Sequence, residues 1–293
     1  MHMTKISSDK RNEALQSCMR NIPMLPTIPA VAQDILKLTD NNTTSLSSLV
    51  SIVEKDPAII LRIINVSNSA FFGFGEPAKS LTEAISRIGF DHVKNLAIGV
   101  YLMTLFSDGK NTALSYEKIY NHSIAIGLIT NFLIKRLPLK HEDYKKIDSD
   151  VLLMNGLLHD IGYLTLNRFF PEDFNQVIEH IHEGSPVLSA EEAVFDFNHC
   201  DIGSWLAIQW NLPESIVLTT KHHHYPSLLQ HSVSYAALVH LADYLVDSCG
   251  RGLMRSETDY EFDPACYDIF NLNEDDITEF HDIMEQEDII HNM

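Results

Sequence analysis

The sequence lacks the features that mark secreted and membrane-spanning proteins. Its four cysteines (Cys18, Cys200, Cys249 and Cys266) form no C-x-x-C pair, so we interpret them as reduced thiols and not as a disulfide framework, zinc ribbon or redox centre. The longest uncharged apolar run covers residues 96–106, whereas a membrane-spanning helix needs about 20 apolar residues. The N-terminus has no signal-peptide pattern. These absences predict a cytoplasmic protein with no membrane partner.

Positive charge is also scarce. The chain has 21 Lys and Arg residues against 40 Asp and Glu residues, which gives a formal net charge of −19. Residues 251–293 alone hold 13 acidic and 2 basic residues. No stripe of basic residues with interleaved aromatics offsets this charge, and an acidic chain repels a polyanion. We therefore expect no direct nucleic-acid partner.

The composition predicts a chain with a sizeable hydrophobic core. It has 293 residues, 45% of them hydrophobic and 21% charged, which suits one large domain or two modest ones. The first 110 residues carry helix signals throughout. Asp56-Pro57 and the capping box Ser80-Leu81-Thr82-Glu83 mark two helix starts, and Gly89 marks a helix end. This N-terminal part is predicted to be all-helical, and nothing in it indicates catalysis.

The stretch most indicative of chemistry lies at His159 and Asp160. An imidazole and a carboxylate stand side by side at the end of an apolar run, residues 151–158, where burying two polar groups is costly unless something binds them. A divalent metal ion is such a partner. Neighbouring residues of a helix point about 100° apart, so both side chains can reach one ion, or two adjacent ions, only near a helix end. We expect Gly162 to supply that end.

Two further histidines lie on apolar helix faces to either side. His122 comes 37 positions before His159 and shares its face with Ala125 and Ile129, whereas His199 comes 40 positions after His159. Each is either a metal ligand or a hydrogen-bonded core histidine. Cys200, next to His199, is either a soft ligand or an ordinary buried cysteine.

The last candidates lie near the C-terminal end of the same region. His223 and His224 are the expected ligands of a run of three histidines, with His222 as an exposed extra. The alternative is a solvated surface cluster. Asp243 is a carboxylate on an otherwise apolar helix, so it needs a metal or a buried histidine as its partner.

The order of these residues resembles that of the HD superfamily of metal-dependent phosphohydrolases. In that family the first His, the His-Asp pair and a late Asp bind one metal ion, and members with more metals add histidines in between. The resemblance implies a metal site formed by His122, His159, Asp160, His199, His223, His224 and Asp243. His and Asp ligands favour iron, manganese, zinc or magnesium, so we expect one or two of these ions as cofactors.

A closer resemblance, to the HDOD family, covers residues from about 20 to 248. HDOD proteins are bacterial relatives of the HD phosphohydrolases, usually linked to signalling and regulation and often without demonstrated activity. The matching segments include residues 25–32 (LPTIPAVA), 54–58 (EKDPA), 68–73 (NSAFFG), 93–96 (VKNL), 199–206 (HCDIGSWL) and 210–214 (WNLPE).

This resemblance implies an all-α fold in which a helical N-terminal subdomain packs on an HD-like helical domain. We expect a flexible N-terminus over residues 1–18, an N-terminal part over 19–108, an HD-like domain over 113–250 and an acidic extension over 251–293. The extension is either a helical cap on the domain, which we favour, or a partner-binding tail. The phenylalanines of the loop at residues 67–75 pack either internally or on a partner.

Several departures from the catalytic relatives argue against turnover. Tyr163 stands where many of them have a lysine, and Tyr225-Pro226 follows the histidines without a Gly-rich segment. Only Lys221 and Arg168 are candidate phosphate-binding cations. We therefore expect a regulatory protein that binds a partner protein or a small signal, with a metal ion at the HD site. The alternatives are a metal-dependent phosphohydrolase acting on a nucleotide or phosphodiester, and an adaptor without metal. The sequence does not indicate an oligomeric state.

Overall fold

Helices form the regular structure of this protein. The computed structural model describes residues 8–20, 22, 27–28, 30–38, 43–68, 76–107, 114–137, 147–229, 233–254 and 261–286. No β-strand occurs in these ranges, which confirms the all-α fold class. No helix within them is both long enough and apolar enough to cross a membrane.

The N-terminal part comprises six helices within the described ranges. They are α1 (Ser8–Arg20), α2 (Ala30–Leu36), α3 (Thr43–Val53), α4 (Pro57–Ser67), α5 (Leu81–Ile88) and α6 (Phe90–Thr104). The local signals act as the sequence predicts. Asp56 accepts a hydrogen bond from the Ile59 amide at the start of α4, and Ser80 accepts one from the Glu83 amide at the start of α5. Gly89, with φ 91°, ends α5 and allows α6 to begin.

The remaining helices build the HD-like part and the C-terminal segment. They are α7 (Tyr116–Arg136), α8 (Ser149–Leu158), α9 (Ile161–Phe169), α10 (Pro171–His182), α11 (Val187–Phe195), α12 (His199–Gln209), α13 (Glu214–His222), α14 (Val233–Val246), α15 (Ala265–Phe270) and α16 (Glu274–Gln286). A 3₁₀ turn, Pro226–Leu228, leads towards α14, and a π-type turn, Asp247–Arg251, follows it.

One hydrophobic core joins the N-terminal helices to the HD-like part. It extends from Leu15 in α1, through α2 to α6 and the helices of the HD-like part, to Ile216 in α13 and Leu253 after the π-type turn. Helices α7 and α8 approach each other closely because Gly127 and Gly156 face one another, and a Cβ on Gly156 would collide with the Gly127 backbone. The N-terminal helices therefore pack on the HD-like helices, as the resemblance implies.

A second core lies between α7, α14 and the C-terminal helices. Its members include Ile129 of α7, Leu241 of α14, Phe270 of α15 and Met284 of α16. The acidic residues of α15 and α16 thus accompany an apolar face that is buried on the domain. This packing is the arrangement that a capping role for the C-terminal segment requires.

Part of the N-terminal segment expected over residues 1–18 lies within the described residues. Residues from Ser8 onwards form α1, in which Leu15 and Met19 are buried. Arg11 forms ion pairs with Glu192 (2.6 Å) and Asp201 (2.9 Å), which hold α1 against the HD-like part. These contacts join α1 to residues nearly 200 positions further along the chain, whereas the flexibility expected of residues 1–18 stays a prediction. The phenylalanines at positions 71, 72 and 74 and the linker at 108–111 lie outside the described residues, and the domain boundaries remain predictions.

Candidate metal centre

The His-Asp pair lies at the junction between α8 and α9. His159 and Asp160 follow the last residue of α8, and both side chains are buried, with 0% and 3% of their surface exposed. The expectation that Gly162 ends the helix is wrong: Gly162 is the second residue of α9 and does not have a positive φ. Its role is steric, because a Cβ at this position would collide with the carbonyl oxygen of His199. The glycine thereby allows α9 to lie against the start of α12.

The Asp160 carboxylate lies between two groups of histidines. Its Oδ2 is 3.2 Å from His159 Nε2 and 3.6 Å from His122 Nε2. Its Oδ1 is 3.4 Å from the Nε2 atoms of both His199 and His223. Ligands about 2.1 Å from one tetrahedral ion lie about 3.4 Å apart, so these separations suit donors that share small ions. Asp160 is placed to bridge two neighbouring ions.

The first group of donors is completed by Asp243. His122 projects from the middle of α7, and its Nε2 lies 3.2 Å from Asp243 Oδ1 on α14. Donor atoms of His159, His223 and Asp243 also lie within 4.8 Å of one another. This first group therefore consists of His122, His159, Asp160 and Asp243, which come from three different parts of the fold.

The second group collects donors from α12 and from the end of α13. His199 begins α12, whereas His223 and His224 directly follow α13. His224 Nε2 lies 3.1 Å from His199 Nε2, and the latter lies 3.4 Å from His223 Nε2. Cys200 Sγ is 3.3 Å from His199 Nε2, so the thiol belongs to this group as well. Its position keeps open the interpretation of Cys200 as a soft ligand.

Three histidines have their Nδ1 atom fixed by a hydrogen bond to a nearby oxygen. The Nδ1 atoms of His159 and His223 donate to the carbonyl oxygens of Gly156 (2.7 Å) and Thr220 (3.2 Å). His199 Nδ1 donates to the Glu191 carboxylate at 2.9 Å. Such bonds select the tautomer that leaves Nε2 free to bind a metal ion, and they orient the ring.

The charges of the cluster depend strongly on each other. Burial raises the pKa of Asp160, but the charge of His159 and the close approach of the His159 and His223 rings outweigh it and hold the pKa well below its usual value. Burial lowers the pKa of His223, but Cys200 and Asp160 raise it to about 10. Burial also raises the pKa of Cys200, which His199 and His223 bring below its usual value. The cluster thus favours an ionised Asp160 and a Cys200 thiolate balanced by protons on the histidines. Metal ions that bind there would take over this positive charge and release those protons.

Several donor atoms face each other at 3.2–3.6 Å but form no hydrogen bond within the described part of the chain. The Nε2 atoms of His122 and His159 and the Oδ1 atom of Asp160 are buried without a hydrogen bond. Buried polar atoms are rarely left unpaired, because each costs about 1–3 kcal/mol. All three point into the same cluster. The residues present therefore fit one or two divalent metal ions.

A cavity of about 470 Å³ leads to this cluster. Its described lining includes His122, Asp160, His224 and Asp243 at the base and Tyr163, Asp247 and Glu261 on the walls, and it contains no Lys or Arg. The two candidate phosphate-binding cations lie elsewhere. Lys221 pairs with Asp201, and Arg168 donates to the carbonyl oxygen of Leu105. Neither lines the cavity.

All seven sequence-predicted ligands come together in this one site, whereas their occupancy by metal remains a prediction. The sequence did not reveal Glu191, which is fully buried and accepts bonds from both the backbone and the ring of His199. Its only signal is a carboxylate next to the apolar Ala190.

Tyr163 also has an unexpected role, because its ring stacks on that of His199 with 4.0 Å between centroids.

Fold and site together define an all-helical protein with a buried His/Asp cluster suited to divalent metal ions. The sequence matches the HDOD domain over residues 25–226, which is more than half of the chain. The chain belongs to the HDOD domain family.

The chain also matches a curated protein over part of that protein's length. An uncharacterised protein of Treponema pallidum (strain Nichols) is 25% identical over 203 residues, which are 68% of this chain and 37% of that protein. The chain thus spans little more than a third of the length of this curated relative.

Solved structures share the fold at low sequence identity. An HDOD domain protein of unknown function from Geobacter sulfurreducens superposes with a TM-score of 0.79 at 22% identity, covering 98% of this chain and 97% of the other. A protein of Marinobacter aquaeolei VT8, provisionally named a signal transduction protein, has a TM-score of 0.75 at 22% identity and coverages of 99% and 66%. A protein of Shewanella amazonensis SB2B, provisionally named a metal-dependent phosphohydrolase, has a TM-score of 0.62 at 22% identity and coverages of 95% and 98%.

Proposed function

We propose that this HDOD protein is a metal-containing regulatory protein of signal transduction, which acts by binding a partner protein or a small signal. The observation that carries the proposal is a set of seven His and Asp side chains suited to metal ions, next to a cavity whose described lining has no Lys or Arg. The site is equipped to hold metal ions and poorly equipped to hold a phosphorylated substrate. The name of the Marinobacter neighbour supports the signalling role.

Two groups of residues would hold the ions. His122, His159 and Asp243 would bind one of them, His199, His223 and His224 the other, and Asp160 would bridge the pair. Bound ions would supply a Lewis acid and an activated hydroxide at neutral pH. Iron, manganese, zinc and magnesium suit the His/Asp donors, and the thiol of Cys200 adds a preference for zinc or iron over magnesium.

The walls of the cavity oppose turnover of an anionic substrate. Asp247 and Glu261 add negative charge where a phosphate group would enter. Burial raises the pKa of Tyr163 well above its usual value, so this residue stays neutral where catalytic relatives have a cation. Electrostatic stabilisation of the transition state is usually the largest catalytic term, and the described lining of this cavity has no Lys or Arg to supply it.

The second candidate function is a metal-dependent phosphohydrolase for a nucleotide or phosphodiester. It is favoured by the volume of the cavity, about 470 Å³, which is large enough for a small substrate and reaches Asp160 directly. The name of the Shewanella neighbour agrees with it. In this alternative the metal pair alone would have to offset the charge of the substrate.

Hydrolysis assays on metal-loaded protein distinguish the two functions. The substrates are p-nitrophenyl phosphate, bis-p-nitrophenyl phosphate and cyclic di-GMP, and Asp160→Asn is the inactive control. We expect the wild type to release product no faster than Asp160→Asn while it retains its metal. Metal-dependent turnover that Asp160→Asn abolishes would overturn the regulatory proposal in favour of the enzyme.

A further inference from the structure

A second cleft lies between the N-terminal helices and the HD-like part. It has a volume of about 340 Å³ and shares no lining residue with the cavity of the metal centre. Four structural elements form it: Arg62 of α4, Phe106 and Ser107 after α6, residues 115–117 at the start of α7, and Leu164, Asn167 and Arg168 of α9. The volume lies within the range of small-molecule sites, about 300–1,000 Å³.

Two arginines line this cleft without a carboxylate partner among the described residues. The guanidinium of Arg62 lies 4.2 Å from the ring centroid of Tyr120 and 5.6 Å from that of Tyr116. Arg168 donates one N–H group to the carbonyl oxygen of Leu105 and lies 5.4 Å from the Phe169 ring. Several other cations, such as Arg11 and Lys94, are ion-paired. The cleft therefore brings together two guanidinium groups that form no ion pair with a described residue, in a chain of net charge −19.

The start of α7 adds further donors to the cleft. Ser115 caps this 21-residue helix by accepting a hydrogen bond from the Lys118 amide at 3.1 Å, and Ser115, Tyr116 and Glu117 line the cleft. The N-terminus of a helix carries partial positive charge and free N–H groups, which favour anions. The Tyr116 hydroxyl is buried without a hydrogen-bond partner in the described chain. Burial raises its pKa to about 12, so the hydroxyl remains a donor.

One group in the cleft opposes an anion. Glu117 is exposed and lines the cleft, and within the described residues no ion pair joins it to Arg62 or Arg168. Two guanidinium groups and a helix N-terminus outweigh this single carboxylate, which also faces solvent. Phe106 and Leu164 supply an apolar surface beside the charged groups.

We propose that this cleft binds a small organic phosphate, with the phosphoryl group between Arg62 and Arg168 at the start of α7 and the organic part against Phe106 and Leu164. Guanidinium groups bind phosphate through paired N–H donors, which suits a planar fork better than the point charge of a lysine. The ligand would contact α7, which carries His122, and α9, which begins directly after Asp160. It would therefore touch two of the helices that position the metal centre.

Isothermal titration calorimetry of the full chain tests this site, with inorganic phosphate and adenosine 5′-monophosphate as probes. We expect saturable binding that weakens at least tenfold in Arg62→Gln and in Arg168→Gln. Binding should be unchanged in Arg87→Gln, whose arginine lies on α5 outside the cleft, and in His159→Ala, which alters only the metal centre. Circular dichroism confirms that each variant is folded.

Glu117→Gln is a variant that should change phosphate affinity in the opposite direction from the arginine variants. Removing the opposing carboxylate should strengthen phosphate binding several-fold, an effect that damage to the fold would not produce. Arg62→Lys, which keeps the charge, replaces Arg62→Gln if the latter fails to fold, and it should retain partial binding. The proposal is overturned if neither probe binds saturably, if the cleft variants bind as the wild type does, or if His159→Ala abolishes binding and so places it at the metal centre.

Discussion

Asp160 is the residue on which the metal centre depends. One oxygen of its carboxylate faces His122 and His159, and the other faces His199 and His223. A carboxylate can bridge two ions in this way, whereas an imidazole binds one ion through one nitrogen. His159 therefore serves only the first group of donors, whereas Asp160 serves both groups.

Glu191 should control the second group of ligands through His199. Glu191→Gln removes the charge and at least one of the bonds that orient His199, so we expect metal affinity at this group to fall 10–100-fold. Competition with a chelator measures the affinity. Glu192→Gln is the matched control, because Glu192 pairs with Arg11 and does not bond to His199. Equal affinity of Glu191→Gln and wild type would contradict this role.

Asp247 should lower the stability of the metal-free protein at neutral pH. Burial and the charge of Asp243 raise its pKa to about 6, so the folded state binds its proton more tightly than the unfolded state does. The resulting stabilisation is fully present only below the unfolded pKa of about 4, and it is lost as the pH rises through about 6. Asp247→Asn should therefore raise the free energy of unfolding at pH 7 by about 1 kcal/mol, a value reduced for solvent screening, and have little effect at pH 4.5.

Urea unfolding of chelator-treated protein at the two pH values measures this difference. Asp34→Asn is the control, because its carboxylate is exposed and forms only a surface pair with Lys37. Equal gains at pH 4.5 and pH 7 would show that Asp247 is not protonated in the folded state at the lower pH.

At the level of elements, close helix packing brings the ligands together. Gly127 and Gly156 allow α7 to approach α8, which places His122 near His159, with ring centroids 5.4 Å apart. Gly162 allows α9 to approach the first residue of α12, which is His199. Glycines thus allow close packing at two helix contacts, α7 with α8 and α9 with α12, and these helices position the metal-binding side chains.

Gly162→Ala should separate these elements. The added methyl group would collide with the His199 backbone carbonyl, which cannot move without shifting α12, so we expect a loss of about 2 kcal/mol of stability together with loss of bound metal. Gly99→Ala is the comparison, because its methyl group would meet only the flexible side chain of Leu157. Thermal unfolding and metal content measure the two effects. Full metal content in Gly162→Ala would contradict the steric role.

The sequence predicted elements well where the signals are local. Asp56 and Ser80 start helices because their side chains bind amides three residues away, and such bonds depend only on nearby residues. The role of Gly162 was mispredicted because a glycine that ends a helix and one that admits another helix look alike in sequence. Glu191 was missed because its partner, His199, lies on a different helix. The spacing of apolar residues along one helix does not predict a contact between two helices.

The C-terminal helices should stabilise the domain as a cap. Phe270 of α15 is 1% exposed and packs in the core shared with α7 and α14, so Phe270→Ala should cost about 3 kcal/mol and lower the melting temperature by about 5–10 °C. Deleting residues 252–293 should lower it further. The exposed Asp268→Ala of the same helix is the control. An unchanged melting temperature after the deletion would favour a partner-binding tail.

At the scale of the whole molecule, the seven ligands come from helices spread over more than 120 positions of the chain, His122 to Asp243. Their order in the sequence predicted the set through family resemblance, whereas composition and periodicity alone left each histidine open to a structural role. The division of Asp160 between two groups depends on tertiary packing and was not predictable from the sequence. The two cavities, one acidic around the metal centre and one lined by arginines, likewise arise only when distant helices meet.

The metal content of the purified protein tests the existence of the centre most directly. Plasma mass spectrometry of protein purified without a His tag should find one or two equivalents of iron, manganese or zinc in the wild type, and neither His159→Ala nor Asp160→Ala should retain them. Absence of stoichiometric metal from the wild type would contradict the metal centre. It would show instead that the His/Asp cluster is a buried polar core, in which His159→Ala changes only stability.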